Sequence, residues 1–233
     1  MKRLAHILLS FLILSLVACN STGTDPEILS KYSGRYRYTA DETIRIHSKD
    51  NQLLIDWRGA ENIAPMKVGE NTYFVKEMNT KIQLLDNPAD GKEYLVFVPK
   101  EKDSAIEFKY VKLADDYKTP SEYFELGNYE KALEGYLGIK AQDSLNPIIE
   151  EWKLNRKGYR YLQRDELEKA REIFKINIAL YPNSANVYDS YAESLYKSGD
   201  TAAAIVNYEK VLSMDSGNRN AKRRLGRLHR KQE

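Results

Sequence analysis

The chain has 233 residues, of which 42% are hydrophobic and 30% charged; Lys and Arg number 36 against 34 Asp and Glu, and there is one cysteine. That balance is the composition of a chain that folds, and it excludes an extended disordered polyelectrolyte. A formal charge of +2 carries no global bias toward nucleic acid, and a lone cysteine excludes an intramolecular disulfide, so stability must come from packed cores.

The N-terminus reads Met1-Lys2-Arg3, then a mostly apolar run from Leu4 to Ala18, then Cys19. A short basic segment, an apolar stretch and a small residue before the cut are the parts of a secretory signal over residues 1–18. The run is shorter than the ~20 residues a spanning helix needs. Leu16-Val17-Ala18-Cys19 resembles the bacterial lipobox. The resemblance implies that Cys19 carries acyl chains such as palmitate and becomes the first residue of the mature protein; the alternative is a plain signal peptide with an incidental cysteine. Asn20, rather than Asp, follows the cysteine, which by the common sorting rule points to the outer membrane of a bacterial cell envelope. Loss of Lys2 and Arg3 leaves 34 cations against 34 acids, a neutral mature chain. Residues 19–27, which include Ser21-Thr22-Gly23-Thr24, are small and polar and suit a tether.

From 28 to 112 the pattern turns to period two. Gly34–Tyr38, Thr43–Ile46, Leu53–Trp57, Tyr73–Val75, Lys81–Leu84, Tyr94–Val98 and Ile106–Val111 alternate or run apolar over strand lengths. Asp50-Asn51, Gly69-Glu70-Asn71 and Asp90-Gly91 supply turns. Seven or eight short strands at this spacing predict an antiparallel β-barrel or sandwich, with Trp57, Phe74 and Phe97 as candidates to fill its interior. Tyr32-Ser33-Gly34-Arg35-Tyr36, Ala64-Pro65-Met66 and Phe74 are similar to a small β-domain appended to class C β-lactamase-like serine hydrolases. The resemblance implies an accessory role and carries over no catalytic residue.

From 113 to 233 the period becomes helical, and residues 151–184 and 185–218 repeat each other at an offset of 34. Gly158 aligns with Ala192, Ala170 with Ala204, and Phe174 with Tyr208. A period of that length is one helix–turn–helix unit that must stack on its neighbours to bury its apolar face. Small residues at 158/192 and 170/204 are required where two helices cross closely, and large ones at 174/208 fill the gap beside them. Phe124–Leu133 reads as the turn and second helix of an earlier copy. Ala132 lies 38 residues before Ala170, so that copy carries a four-residue insertion, and Pro120 shortens its first helix. Asn220–Leu228 reads as a polar capping helix. The pattern resembles the tetratricopeptide repeat, with departures at Lys157, Asn177 and Ser216. The fold class expected is therefore α+β in two domains: the β-domain over 28–112, then a helical tetratricopeptide-like array over 113–233.

Chemistry is hard to find in these residues. Ser-x-x-Lys spacing occurs once, at Ser194-Leu195-Tyr196-Lys197, and there is no Gly-x-Ser-x-Gly, His-Glu-x-x-His, Walker loop or Gly-x-Gly-x-x-Gly. His47 lies at a strand end and His229 in the basic cap, neither with an evident partner; Asp56-Trp57 in a strand either lines a pocket or, as is commoner for tryptophan, belongs to the core. No catalytic residue, metal or cofactor is expected, and no enzymatic activity. In tetratricopeptide arrays the first helices line the concave side, which makes Asn155, Tyr159, Asp189, Glu193 and Lys197 the candidate protein-binding residues. Asp189 and Glu193, four apart, place two carboxylates on one face and favour a basic segment. The family's subset that clamps a C-terminal carboxylate uses lysines and asparagines, and this groove lacks that set. Lys222, Arg223, Arg224 and Arg227 form a basic patch, either a solvated face or a contact for headgroups or an acidic partner. The function expected is a lipid-anchored envelope scaffold with a protein partner, a membrane anchor and no nucleic acid. Two alternatives stand beside it: a small-ligand β-domain with the repeats as docking arm, which requires an open interior and is ruled out if Trp57, Phe74 and Phe97 fill it, and an accessory subunit of an envelope serine hydrolase.

Overall fold

The computed structural model describes residues 24–101 and 104–230. The signal segment and Cys19 lie outside the described residues. The tether expected to reach residue 27 ends sooner: Thr24 is buried, donates its N–H to Asn51 O at 3.1 Å, and accepts from the Tyr73 hydroxyl. Helix α1 (Pro26–Tyr32) starts directly after it, capped by the Asp25 carboxylate on Glu27 N and opened by proline at its first position.

Nine strands follow: β1 (Gly34–Arg37), β2 (Thr43–Lys49), β3 (Gln52–Trp57), β4 (Ala60–Ile63), β5 (Met66–Gly69), β6 (Thr72–Val75), β7 (Thr80–Asp86), β8 (Glu93–Phe97) and β9 (Tyr110–Val111). They form two open antiparallel sheets, β1-β2-β3-β4 and β5-β6-β7-β8-β9, not a closed barrel. Closure fails between β4 and β5, where Asn62 has φ 57° and Pro65 has no N–H to give a ladder. At the opposite edge the sheets are stitched by a Tyr36–Lys112 bridge and by Leu113 N on Arg35 O at 2.7 Å. The β2–β3 hairpin turns on Asp50 and Asn51, both at positive φ, the geometry whose twist matches the flanking strands.

One core serves both sheets and α1: Leu29, Tyr32, Tyr36, Ile44, Ile46, Ile55, Tyr73, Val75, Ile82, Leu84 and Leu95 are all buried. The interior is thus filled, chiefly by residues other than Trp57, Phe74 and Phe97. Tyr73 and Val75 point inward and Phe74 outward, while Trp57 and Phe97 pack partly buried at the margin with Tyr38 and Tyr110. Of the strand expected over 106–111, only residues 110–111 pair.

The helical part runs α2 (Pro120–Glu125), α3 (Tyr129–Gln142), a 3-10 turn (Pro147–Ile149), α4 (Glu151–Gln163), α5 (Leu167–Leu180), α6 (Ala185–Lys197), α7 (Thr201–Met214) and α8 (Arg219–His229). The starts of α4, α6 and α8 are each 34 residues apart, as are those of α5 and α7. The starts of α3 and α5 differ by 38, and the extra residues make the 3-10 turn, which drives Ile149 into the core. Helix α2 is short because Thr119 and Glu122 close a capping box around Pro120. At the crossing of α4 and α5, a Cβ on Gly158 would stand 2.4 Å from Phe174 Cε1 and Cζ. The small residue there is a steric requirement.

The departures from the repeat pattern have local causes. Asn177, fully buried, donates to Glu151 O at 3.1 Å and ties α5 to the start of α4. Lys157 lies 4.8 Å over the Phe124 ring and pairs with Glu125 at 3.7 Å; burial holds its ammonium pKa below the ordinary value. Ser216 sits in the turn after α7, where Asp215 takes over the closing role by accepting Gly217 N at 3.0 Å.

The two halves meet through polar contacts. Arg35 donates to Tyr117 O at 2.7 Å and to the Glu122 carboxylate. Asp41, in the β1–β2 turn, accepts Ser121 N at 2.7 Å, Ser121 Oγ at 2.6 Å and Tyr136 OH at 3.2 Å. Burial pushes the Asp41 carboxyl above its ordinary range, against the downward pull of those donors. Lys157 Nζ reaches Ser121 Oγ at 3.5 Å, so its charge faces the same knot. With the Ser121 backbone and hydroxyl both on Asp41, the cluster acts as a latch between β-domain and repeats.

Candidate partner-binding groove

The first helix of each unit contributes to one continuous face. Asn186 of α6 donates to Glu151 of α4 at 2.8 Å, and Tyr159 of α4 reaches Glu193 Oε2 at 3.2 Å and Ser190 Oγ at 3.4 Å. Asn220 of α8 donates to both Asp189 oxygens at 3.1 and 2.9 Å, and Arg224 pairs with Glu193 at 3.3 Å. Helices α4, α6 and α8 thus lie side by side, with α5 and α7 packed behind them.

Four of the five residues singled out from the sequence, Asn155, Tyr159, Asp189 and Glu193, sit on or beside this face, but three are engaged with the chain itself. Tyr159 packs its ring edge-on against Phe174 at 5.5 Å, so it is half core and half surface. Asp189 and Glu193 are answered by Asn220 and Arg224, and burial pushes the Asp189 carboxyl above its usual range. The acidic pair expected to favour a basic segment thus already has partners on α8, an arginine for Glu193 and a neutral amide for Asp189. Asn155 Oδ1 is buried without a protein partner among the described residues. Lys197 is exposed at the end of α6.

The basic patch divides in the same way. Arg224 turns into the groove, whereas Lys222, Arg223 and Arg227 stay exposed, and Arg223 donates to Asn220 Oδ1 at 2.7 Å. Helix α8 holds no acidic residue.

One groove residue escaped the sequence reading. Trp152 is 53% exposed, with the Arg156 guanidinium 4.7 Å and the Lys153 ammonium 5.4 Å from its ring. Trp152, Asn155, Arg156 and Tyr159 follow the i, i+3, i+4, i+7 spacing of one helix face. The signal was available, since Trp152 aligns at the repeat offset with Asn186, and then with Asn220, both of which bond across the groove.

Elsewhere, His47 has the partner that its position did not disclose: Nε2 lies 3.0 Å from Asp56 Oδ1, which also accepts Asn62 N at 2.9 Å. Burial raises the Asp56 pKa, but the donors from Asn62 and His47 outweigh it and hold the carboxylate below its ordinary range. Asp56 and Trp57 do line a cleft, of about 750 Å³, with Arg35, Arg45 and His47. It lies on the outer face of the four-stranded sheet, not between the sheets. Among the described residues no group of three or more His, Cys, Asp or Glu is placed to hold a metal ion.

No family model and no curated protein matches the chain. Solved tetratricopeptide repeat structures resemble about half of it at low identity. The first such domain of Spaghetti (RPAP3), bound to the HSP90 peptide SRMEEVD, is 18% identical, over 48% of this chain and 86% of that one, with a TM-score of 0.35. MamA is 21% identical over 48% and 64%, TM-score 0.35, and the Sgt2 repeat domain from Aspergillus fumigatus is 20% identical over 48% and 73%, TM-score 0.34. Likeness at that level adds nothing to the argument. The 34-residue spacing of the helices and the Gly158–Phe174 crossing carry the repeat assignment by themselves.

Proposed function

We infer that this protein is a lipid-anchored scaffold of the bacterial cell envelope that holds a polypeptide partner along the face formed by α4, α6 and α8. The observation that carries the reading is Trp152. A large aromatic side chain left 53% exposed on the groove face, one helical turn from Asn155 and two from Tyr159, is placed to contact a partner. Tryptophan and tyrosine dominate binding hot spots because they bring large area at low rotamer cost. Arg156, stacked beside Trp152, adds a donor fork at the same spot.

The lipobox-like segment supports the anchor, since acyl chains contribute about 0.8 kcal/mol per buried CH₂ and more than one chain gives stable attachment. The Asn20 rule supports the outer membrane. No catalytic role and no cofactor is assigned. The small-ligand alternative, which required an open interior, has lost that ground to the packed core; the outer-face cleft by Asp56 and Trp57 is where a polar ligand would have to sit.

The test is crosslinked capture from membranes, comparing the parent with a Trp152→Ala variant. Because Trp152 is half-exposed and is not a member of any core cluster among the described residues, its loss should leave folding intact, which Tyr159→Ala would not. A partner held by the parent and lost by the folded variant supports the scaffold. A partner indifferent to Trp152 overturns it.

A further inference from the structure

Glu193 is paired with Arg224 and Asp189 is hydrogen-bonded by Asn220, while α8 itself carries basic charge alone. Helix α8 brings Arg219, Lys222, Arg223, Arg224 and Arg227 to the C-terminal end of the array, with Arg230 just beyond. Only Arg224 forms an ion pair among the described residues, and no described carboxylate lies within ion-pair distance of Arg227 or Arg230. Arg224, Arg227 and Arg230 line one recess of about 400 Å³ with Tyr196 of α6 and Leu228. Within it, Arg224 Nε is buried and has no hydrogen-bond partner among the described residues.

Arg224 is already paired with Glu193 through Nη2, which leaves its Nε and the exposed Arg227 and Arg230 to meet an anion, and a guanidinium fork matches a carboxylate in plane and spacing. We propose that this recess binds carboxylate side chains of an acidic polypeptide segment, held chiefly by Arg227 and Arg230 over a floor that includes the buried Leu228. The proposal rests on the groove reading and adds to it the chemistry of the partner: apolar or aromatic contacts at Trp152 on α4, acidic residues at α8. Shape favours a peptide over a bilayer, because a recess between two helices admits a side chain while a headgroup layer needs an exposed, protruding patch. The site is also separate from the lysine–asparagine set that clamps a chain terminus in part of the family, a set this groove lacks.

The experiment uses the full-length chain in phosphatidylcholine nanodiscs. Fluorescence anisotropy follows a dye-labelled peptide of repeating Glu-Glu-Gly-Ser, beside its Gln-Gln-Gly-Ser and Lys-Lys-Gly-Ser counterparts. The acidic peptide alone should bind, and the Arg227→Glu/Arg230→Glu variant should weaken it by about tenfold or more, since two attractive contacts become repulsive. The Arg227→Lys/Arg230→Lys variant keeps the charge but loses the fork, and should bind about threefold more weakly than the parent; it also serves if the glutamate variant does not fold. Equal binding of all three peptides, or indifference to both variants, overturns the acidic preference. Displacement by phosphatidylglycerol vesicles or by inorganic phosphate as effective as by unlabelled peptide also overturns it, because the recess would then read headgroups or any anion. If no peptide binds, the recess proposal fails on its own, while capture through Trp152 still decides the groove.

Discussion

Gly158→Ala isolates the helix crossing on which the repeat depends. Two effects oppose each other. Alanine is the better helix former by about 0.8–1 kcal/mol, so in an open helix the change would stabilise. Here the new methyl would stand 2.4 Å from two ring carbons of Phe174, which is fully buried. Ordinary carbon contacts are about 3.5–4.0 Å, so the ring or the helix must give by more than an ångström. Overpacking of that kind costs about 1–3 kcal/mol, which leaves a net loss of about 1 kcal/mol. The second copy carries alanine at the equivalent Ala192 and buries it completely, so the backbone tolerates the methyl and only the Phe174 contact opposes it. The double-mutant cycle with Phe174→Leu makes the test decisive. With a shorter side chain at 174 the clash disappears, and Gly158→Ala should then stabilise by about 0.5–1 kcal/mol, a reversal of sign. Urea denaturation followed by far-UV circular dichroism measures both backgrounds, with an unchanged slope as the check on state compactness. An equal effect of Gly158→Ala in the two backgrounds would refute the tight-crossing argument.

Three further expectations can be checked on the same preparation. Tyr208 is fully buried and its hydroxyl has no protein partner among the described residues, while its repeat equivalent is Phe174; Tyr208→Phe should raise stability by about 1 kcal/mol, and a loss on denaturation would mean the hydroxyl is satisfied. Burial raises the Glu122 pKa, but the hydrogen bonds from Arg35 and Thr119 outweigh it and hold the carboxyl below its ordinary value. Its contribution is therefore present above the unfolded value of about 4.3 and is lost as pH falls through the lower folded value. Glu122→Gln should flatten the acid limb of stability below the unfolded carboxyl value of about 4.3, and an unchanged limb in thermal melts would count against the Arg35–Glu122 contact as a source of stability. Cys19→Ser should move the protein from the membrane to the soluble fraction, and mass spectrometry of the parent should show acyl chains on Cys19; a variant that stays membrane-bound contradicts lipidation as the anchor.

Periodicity and capping made much of the architecture legible. The spacing of Gly158, Ala192, Ala170 and Ala204 gave the helix pairs, Pro120 gave the short α2, and the offset of Ala132 gave the insertion before α4. The strands around Ala60–Ile63 and Met66–Gly69 were missed because seven of their eight residues are exposed, so no alternation marks them. Thr72-Tyr73-Phe74-Val75 is apolar on both faces, and a run of that kind does not say which parity points inward. The pairing within the groove was hidden for a different reason. Asp189 and Glu193 do share a helix face, but their partners, Asn220 and Arg224, are 31 residues on and meet them only once the array is stacked. The latch of Asp41 on Ser121 spans 80 residues and belongs to tertiary structure alone. Trp152 was visible in the repeat alignment, and its exposure is what the fold adds.

The most direct test of the scaffold is photo-crosslinking in the native host, with a benzophenone side chain placed at Trp152, at Arg227, or at Val206, which is 62% exposed on α7 behind the groove. The account predicts one protein adduct shared by the Trp152 and Arg227 probes and absent from the Val206 probe. An adduct at Val206 alone, or the same adduct from all three positions, would contradict the groove as the binding face.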